Sequence, residues 1–123
     1  MCEQRLEDDR AAKLAKVEEL CAQLGVRLAR QTVRRTELIE IETALLLLVG
    51  TLEREIRDRA MHAGGTQSLL QARQCIDTMR QLLRWVRRYS TFAPESDLHE
   101  HLLDAHRQAS NVLIRLQTIP AIG

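Results

Sequence analysis

Residues 43–52 read TALLLLVGTL, and Ala44–Val49 within them are six consecutive apolar residues. Glu40 and Glu42 precede this run, and Glu53 and Arg54 follow it. A helix with one apolar stripe needs one neighbouring surface, but a helix apolar all round needs neighbours on several sides. The run is also far below the ~20 residues that span a bilayer, so no membrane is expected as a partner. The fold that satisfies such a stretch is all-α: an antiparallel bundle of three or four long helices with coiled-coil character.

The rest of the chain agrees with that fold. Its 123 residues can enclose one real core. Hydrophobic residues make up 45% but aromatics only 2%, so the core must be built from Leu, Ile, Val and Ala. Two prolines and five glycines leave little punctuation, and Pro94 is the first proline. Long helices follow.

Working outward from the run, the C-terminal seams are the clearest. Ser96 can cap a helix opening with Asp97. Leu98, Leu102, Ala105, Ala109, Val112 and Leu116 then alternate spacings of four and three up to Pro120. Before it, Gly64-Gly65 marks a turn, and Ser68 with Gln71 fits a capping box. Leu69, Ala72, Ile76, Met79, Leu83 and Val86 form that helix's seam. The connection through Pro94 is short, so these two helices lie antiparallel.

The first 63 residues hold two more seams. One comprises Leu14, Val17, Cys21, Leu24 and Leu28, the other Leu38, Ile41, Leu45, Leu48 and Leu52, and between them the seam positions fall on polar Gln31 and Arg35. Either one helix of about 60 residues, roughly 90 Å long, runs through, or Gly25 stops the first in a left-handed C-cap. A break or bend near Gly25 is expected. Gly50 leaves the seam spacing intact, so the helix should continue through it at ~1 kcal/mol relative to Ala, and the missing side chain would let a neighbouring backbone approach closely. A fresh start capped by Thr51 is the alternative. The predicted organisation is one helical domain, 1–123, with an N-terminal arm over 3–35 and bundle helices over 36–63, 67–91 and 96–118.

Three helices cover only one side of residues 38–56. The arm seam and the leftover Leu46, Leu47 and Val49 face then need either a fold-back of the arm or a second chain. With only Gly25 to make the turn, the expectation is a homodimer or a constitutive hetero-assembly.

Charge is balanced, 18 basic against 17 acidic residues for a net +1, so no bulk field draws the chain to nucleic acid or anionic lipid. Arg80, Arg84, Arg87 and Arg88 nonetheless form a stripe beside Trp85 and Tyr89, a pattern that can track phosphates. Glu95, Asp97, Glu100 and Asp104 are expected to neutralise it internally. A second basic patch, Arg27, Arg30, Arg34 and Arg35, reads as a solvated face or a contact for an acidic partner. Trp85, Tyr89 and Phe92 share one stripe, which is either packing at the bundle end or a binding hot spot. Trp85 should then lie near Arg84 or Arg88 and the chain around Phe92.

Chemistry-bearing motifs are sparse. His99, Glu100, His101, Asp104 and His106 are dense in sequence, but His99 and His106 share one helix face and His101 and Asp104 another. No HExxH or Glu-x-x-His pair occurs. Cys2, Cys21 and Cys75 form no CxxC and suit free thiols in a reducing compartment. The acid-rich start MCEQRLEDDR is unlike a signal peptide, and a cytoplasmic or nuclear setting is expected. No catalytic residue, cofactor, metal or small-molecule substrate is predicted. The expected function is non-enzymatic protein–protein interaction, as an oligomerising adaptor, scaffold subunit or small helical chaperone. The partner-binding residues assigned are the arm seam Leu14, Val17, Cys21, Leu24 and Leu28, the leftover face Leu46, Leu47 and Val49, and the stripe Arg84, Trp85, Arg88 and Tyr89. The alternative is a nucleic-acid-binding helical bundle using its Arg stripes.

Overall fold

The computed structural model describes residues 2–63 and 67–118, with side chains over 11–61 and 67–117. Four helices follow in order: α1 (Cys2–Leu28), α2 (Arg35–Ala63), α3 (Gln67–Tyr89) and α4 (Glu95–Thr118). They form an up-down-up-down bundle, and among the described residues no strand occurs. No helix there is long and apolar enough to cross a membrane. Helices α2 and α4 meet across the diagonal, while α1 touches both and, among the described residues, makes no contact with α3. The Gly64-Gly65 turn and the stop at Pro120 lie outside the described residues.

The seams dictate this packing. Leu38, Ile41, Leu45, Leu48 and Leu52 of α2 are buried, as are all six seam residues assigned to α3 and all six assigned to α4. Each fully buried Leu or Ile contributes about 1.5–3 kcal/mol relative to exposure. The apolar run is thereby accounted for: Leu45, Leu48 and Val49 are buried, Ala44 and Leu46 half-buried, and only Leu47 stands 69% exposed. Thr51 starts no new helix, because its hydroxyl donates back to the Leu47 carbonyl within continuous α2.

The arm differs from expectation. Helix α1 runs through Gly25 to Leu28, and a turn and bend at 29–31 with irregular residues 32–34 lead into α2. The break thus falls where the seam lapses, between Leu28 and Arg35. Val33 plugs the connection, 4% exposed. Arg27 pairs with Glu37 (3.1 Å) and Glu40 (3.0 Å), and Arg30 with Glu37 (3.4 Å), closing the hairpin. These pairs are partly solvated, worth at most ~1 kcal/mol each.

Two arginines of α2 satisfy carbonyls at opposite ends of the bundle, where helix termini leave acceptors open. Arg35 donates to the carbonyls of Ser90 and Ala93 (2.7 Å for the latter) after α3. Arg59 donates to the Leu116 carbonyl near the end of α4, 2.6 Å away. Helix α4 opens one residue before the expected Ser96 cap, with the Pro94 carbonyl accepting from Asp97 and Leu98. Gln71 is engaged by Arg115 of α4 rather than serving as a capping-box partner.

Candidate functional site

The face shared by His99 and His106 is turned toward α1. His99 Nε2 lies 2.6 Å from the Leu28 carbonyl oxygen, and His106 Nε2 lies 2.7 Å from that of Cys21. The two imidazoles are one heptad apart on α4, and their two acceptors are one heptad apart on antiparallel α1. A carbonyl can only accept, so Nε2 carries the proton in both rings. His99 thereby serves a C-terminal carbonyl of α1 that the helix leaves open. His106 reaches α1 because residue 25 is glycine: a Cβ there would stand 2.8 Å from Cε1 and 2.9 Å from Nε2 of the ring. Gly25 is therefore an access point for an imidazole, not a helix stop.

Cys21 completes this contact. Its Sγ lies 3.6 Å from His106 Nε2 and 3.9 Å from Ser110 Oγ, and the residue is 3% exposed. The thiol beside the ring raises His106 above the ordinary imidazole range, burial opposes this, and the Cys21 carbonyl reinforces it. Because the protonated nitrogen is the one facing sulfur, the geometry offers no free base to the thiol. The arrangement clamps two helices. Among the described residues no group of three His, Cys, Asp or Glu is arranged to hold a metal ion.

The arm seam assigned to a partner is thus used within the chain. Cys21, Leu24 and Leu28 are buried, and Leu14 and Val17 are half-buried against the same core. Val49 is likewise 3% exposed and belongs to the core. Of the leftover face, Leu46 is half-buried and Leu47 open to solvent. Ile39 extends that surface, 41% exposed. Gly50 lies beside it, and a Cβ there would meet nothing within 4 Å. Among the described residues no backbone makes the close approach that Gly50 would allow.

The aromatic stripe is arranged differently from expectation. Trp85 stacks flat on His101 of α4, with centroids 3.8 Å apart and planes 4° apart, and packs against Tyr89 at 5.0 Å. Its neighbour is α4, whereas Phe92 stands 84% exposed in the turn. Arg88 rests over the Tyr89 ring at 5.7 Å, a cation–π contact. The stripe is not neutralised by α4 as expected: Arg80 pairs with Glu53 of α2, and Asp104 pairs with Arg107 of its own helix. Arg84 forms no ion pair among the described residues. In the second basic patch, Arg27, Arg30 and Arg35 are all engaged within the chain, leaving Arg34 exposed.

One charged residue beside the apolar run lies inside the bundle rather than in solvent. Glu42 is 6% exposed, on the wall of a cavity of about 350 Å³ between α2 and α3. Ile39, Leu46 and Val86 supply apolar walls, and Thr43, Arg87 and Ser90 the polar ones. Glu42 Oε1 is buried with no hydrogen-bond partner. Oε2 has only the Thr43 hydroxyl, 3.4 Å away, and that single proton is contested by the Ile39 carbonyl at 3.2 Å. Burial pushes the carboxyl above its ordinary range, with Arg87 acting through space and Thr43 pulling the other way. A larger groove of about 440 Å³ lies further along the same two helices, floored by Ile56, Leu69 and Ile76.

By fold the chain falls in the class of up-and-down four-helix bundles. No known protein family, no curated protein and no solved structure matches it.

Proposed function

We propose that this bundle is a non-enzymatic protein–protein interaction module, an adaptor, scaffold subunit or small helical chaperone, that presents the α2–α3 face to a protein partner. One observation carries the reading. Four helices already satisfy one another's seams, yet α2 still turns Ile39 and Leu47 outward and leaves Leu46 only half-buried beside the open step at Gly50. A residue without a side chain, flanked by exposed aliphatics, admits close approach of another backbone. The arm seam, being used internally, gives no reason for a homodimer through α1, so the partner of choice is a different chain. The thiol–imidazole contact is read as packing, since Cys21 is buried and faces the protonated nitrogen. Engagement of Arg27, Arg30, Arg35 and Arg80 inside the molecule weighs against the nucleic-acid alternative.

The test is capture from the native source with wild-type chain and with Leu47→Glu, each checked for an unchanged thermal midpoint. A partner held by wild type and lost from Leu47→Glu is the expected result. A partner retained by Leu47→Glu refutes this surface. A retained partner released steeply by salt would move the assignment to nucleic acid.

A further inference from the structure

We infer that the cavity between α2 and α3 is a socket for a cationic side chain, a lysine or arginine of the protein partner, with the Glu42 carboxylate as its acceptor. The inference rests on the reading that a partner docks on this face, and it names the chemistry of the contact.

The reasoning begins from an incomplete hydrogen-bond set. Buried carboxylates are ordinarily paired or surrounded by donors. Glu42 has neither: Oε1 has no partner, and Oε2 shares one hydroxyl proton with a backbone carbonyl. The residue is nevertheless placed with its aliphatic neighbours Ile39, Leu46 and Val86 around a cavity of about 350 Å³. Such walls suit the methylene stem of a long basic side chain, which packs its carbons on apolar surface and delivers only its head to a polar group. The head would find an acceptor-only group with an unused oxygen, and charge-assisted hydrogen bonds are the strong ones.

Among the described residues the only cation lining this cavity is Arg87. It is exposed, and it acts on Glu42 through space without an ion pair. Its own stem is free to swing into solvent when a second cation enters. The rim then supplies two further polar groups, Thr43 and Ser90, to position the incoming head. Leu47 is outside the cavity, so the socket and the outer apolar face can be tested separately.

The experiment is a titration of the full chain with methylguanidinium and with methylammonium, followed by the backbone amide resonances of Thr43, Leu46, Val86 and Ser90. Tetramethylammonium, which has charge but no N–H, serves as control. The expected result is saturable change at these amides for either N–H donor, with a Kd of roughly 1–10 mM for so small a probe. Glu42→Gln should weaken binding about tenfold, Arg87→Ala should strengthen it, and tetramethylammonium should leave the amides unmoved. Unsaturable shifts, equal binding to Glu42→Gln, or an equal response to tetramethylammonium overturns the inference. Leu47→Glu should bind the probes like wild type. Probe binding with partner capture insensitive to Leu47→Glu would therefore sink the docking surface alone. Capture lost in Leu47→Glu, with no probe binding to wild type, would sink the socket alone.

Discussion

Two helical glycines should respond unequally to the same substitution. Ala is favoured over Gly in a helix interior by about 1 kcal/mol. At Gly50, where an added Cβ meets nothing within 4 Å, that gain should be realised in full. A rise of about 3–6 °C in thermal midpoint follows for a domain of this size. At Gly25 the new methyl would stand 2.8–2.9 Å from the His106 ring. If the ring withdraws, its hydrogen bond to the Cys21 carbonyl is lost, about 0.5–1.5 kcal/mol. If the ring stays, overpacking costs about 1–3 kcal/mol. Set against the propensity gain, Gly25→Ala should fall between about 0.5 kcal/mol more stable and about 2 kcal/mol less stable than wild type. The two variants should therefore differ by about 0.5–3 kcal/mol, with Gly50→Ala always the more stable. Urea unfolding followed by circular dichroism measures this through the midpoints, provided the slope is unchanged. Equal stabilisation by both substitutions would refute the reasoning, because it would mean that no imidazole sits over Gly25 and that α1 is not docked on α4.

Other outcomes follow from the same packing. His106 is raised in the folded state by the Cys21 thiol against burial, so the folded chain binds that proton more tightly than the unfolded one. Its stabilisation is complete below the unfolded value of about 6.5 and fades as pH rises through the higher folded value. The stability gap between wild type and His106→Gln should accordingly shrink from mildly acidic to alkaline pH, and a constant gap contradicts the assignment. Leu48→Ala, at a position 2% exposed, should cost about 2–5 kcal/mol in denaturant unfolding. Trp85→Ala should cost about 2 kcal/mol, roughly half the value of a fully buried aromatic, because the indole is half-buried on His101. A thermal midpoint unmoved by that change would show the stack to be unimportant for the fold.

The seams were legible because apolar side chains at three-four spacing have one favourable arrangement, and all of Leu69 to Val86 and Leu98 to Leu116 lie buried at the positions the spacing assigns. The arm was read less well. Gly25 carries the ordinary signature of a helix stop, but its cause is a histidine from α4, far away in sequence. The better local signal was the lapse of the seam at Gln31 and Arg35, within which the chain does turn. The shared face of His99 and His106 was visible on α4; its meaning required the matching carbonyls of Leu28 and Cys21, which no pattern on one helix can show. Glu42 lies one heptad before Val49 and two before Ile56, both buried, so its interior position was implicit in the register of α2. Its charge concealed it, since a carboxylate beside an apolar run is ordinarily solvated.

The docking face can be tested directly with a photo-reactive benzophenone side chain placed at position 47, irradiated in the native source, and compared with the same group at position 107 on the exposed side of α4. Position 47 projects from α2 beside Gly50 and makes little use of the core, so the substitution leaves the bundle folded. A discrete cross-linked species from position 47, absent from position 107 and diminished by Glu42→Gln, is the expected result. Equal cross-linking from both positions, or a species from position 107 alone, would contradict the assignment of α2–α3 as the face this protein offers to its partner.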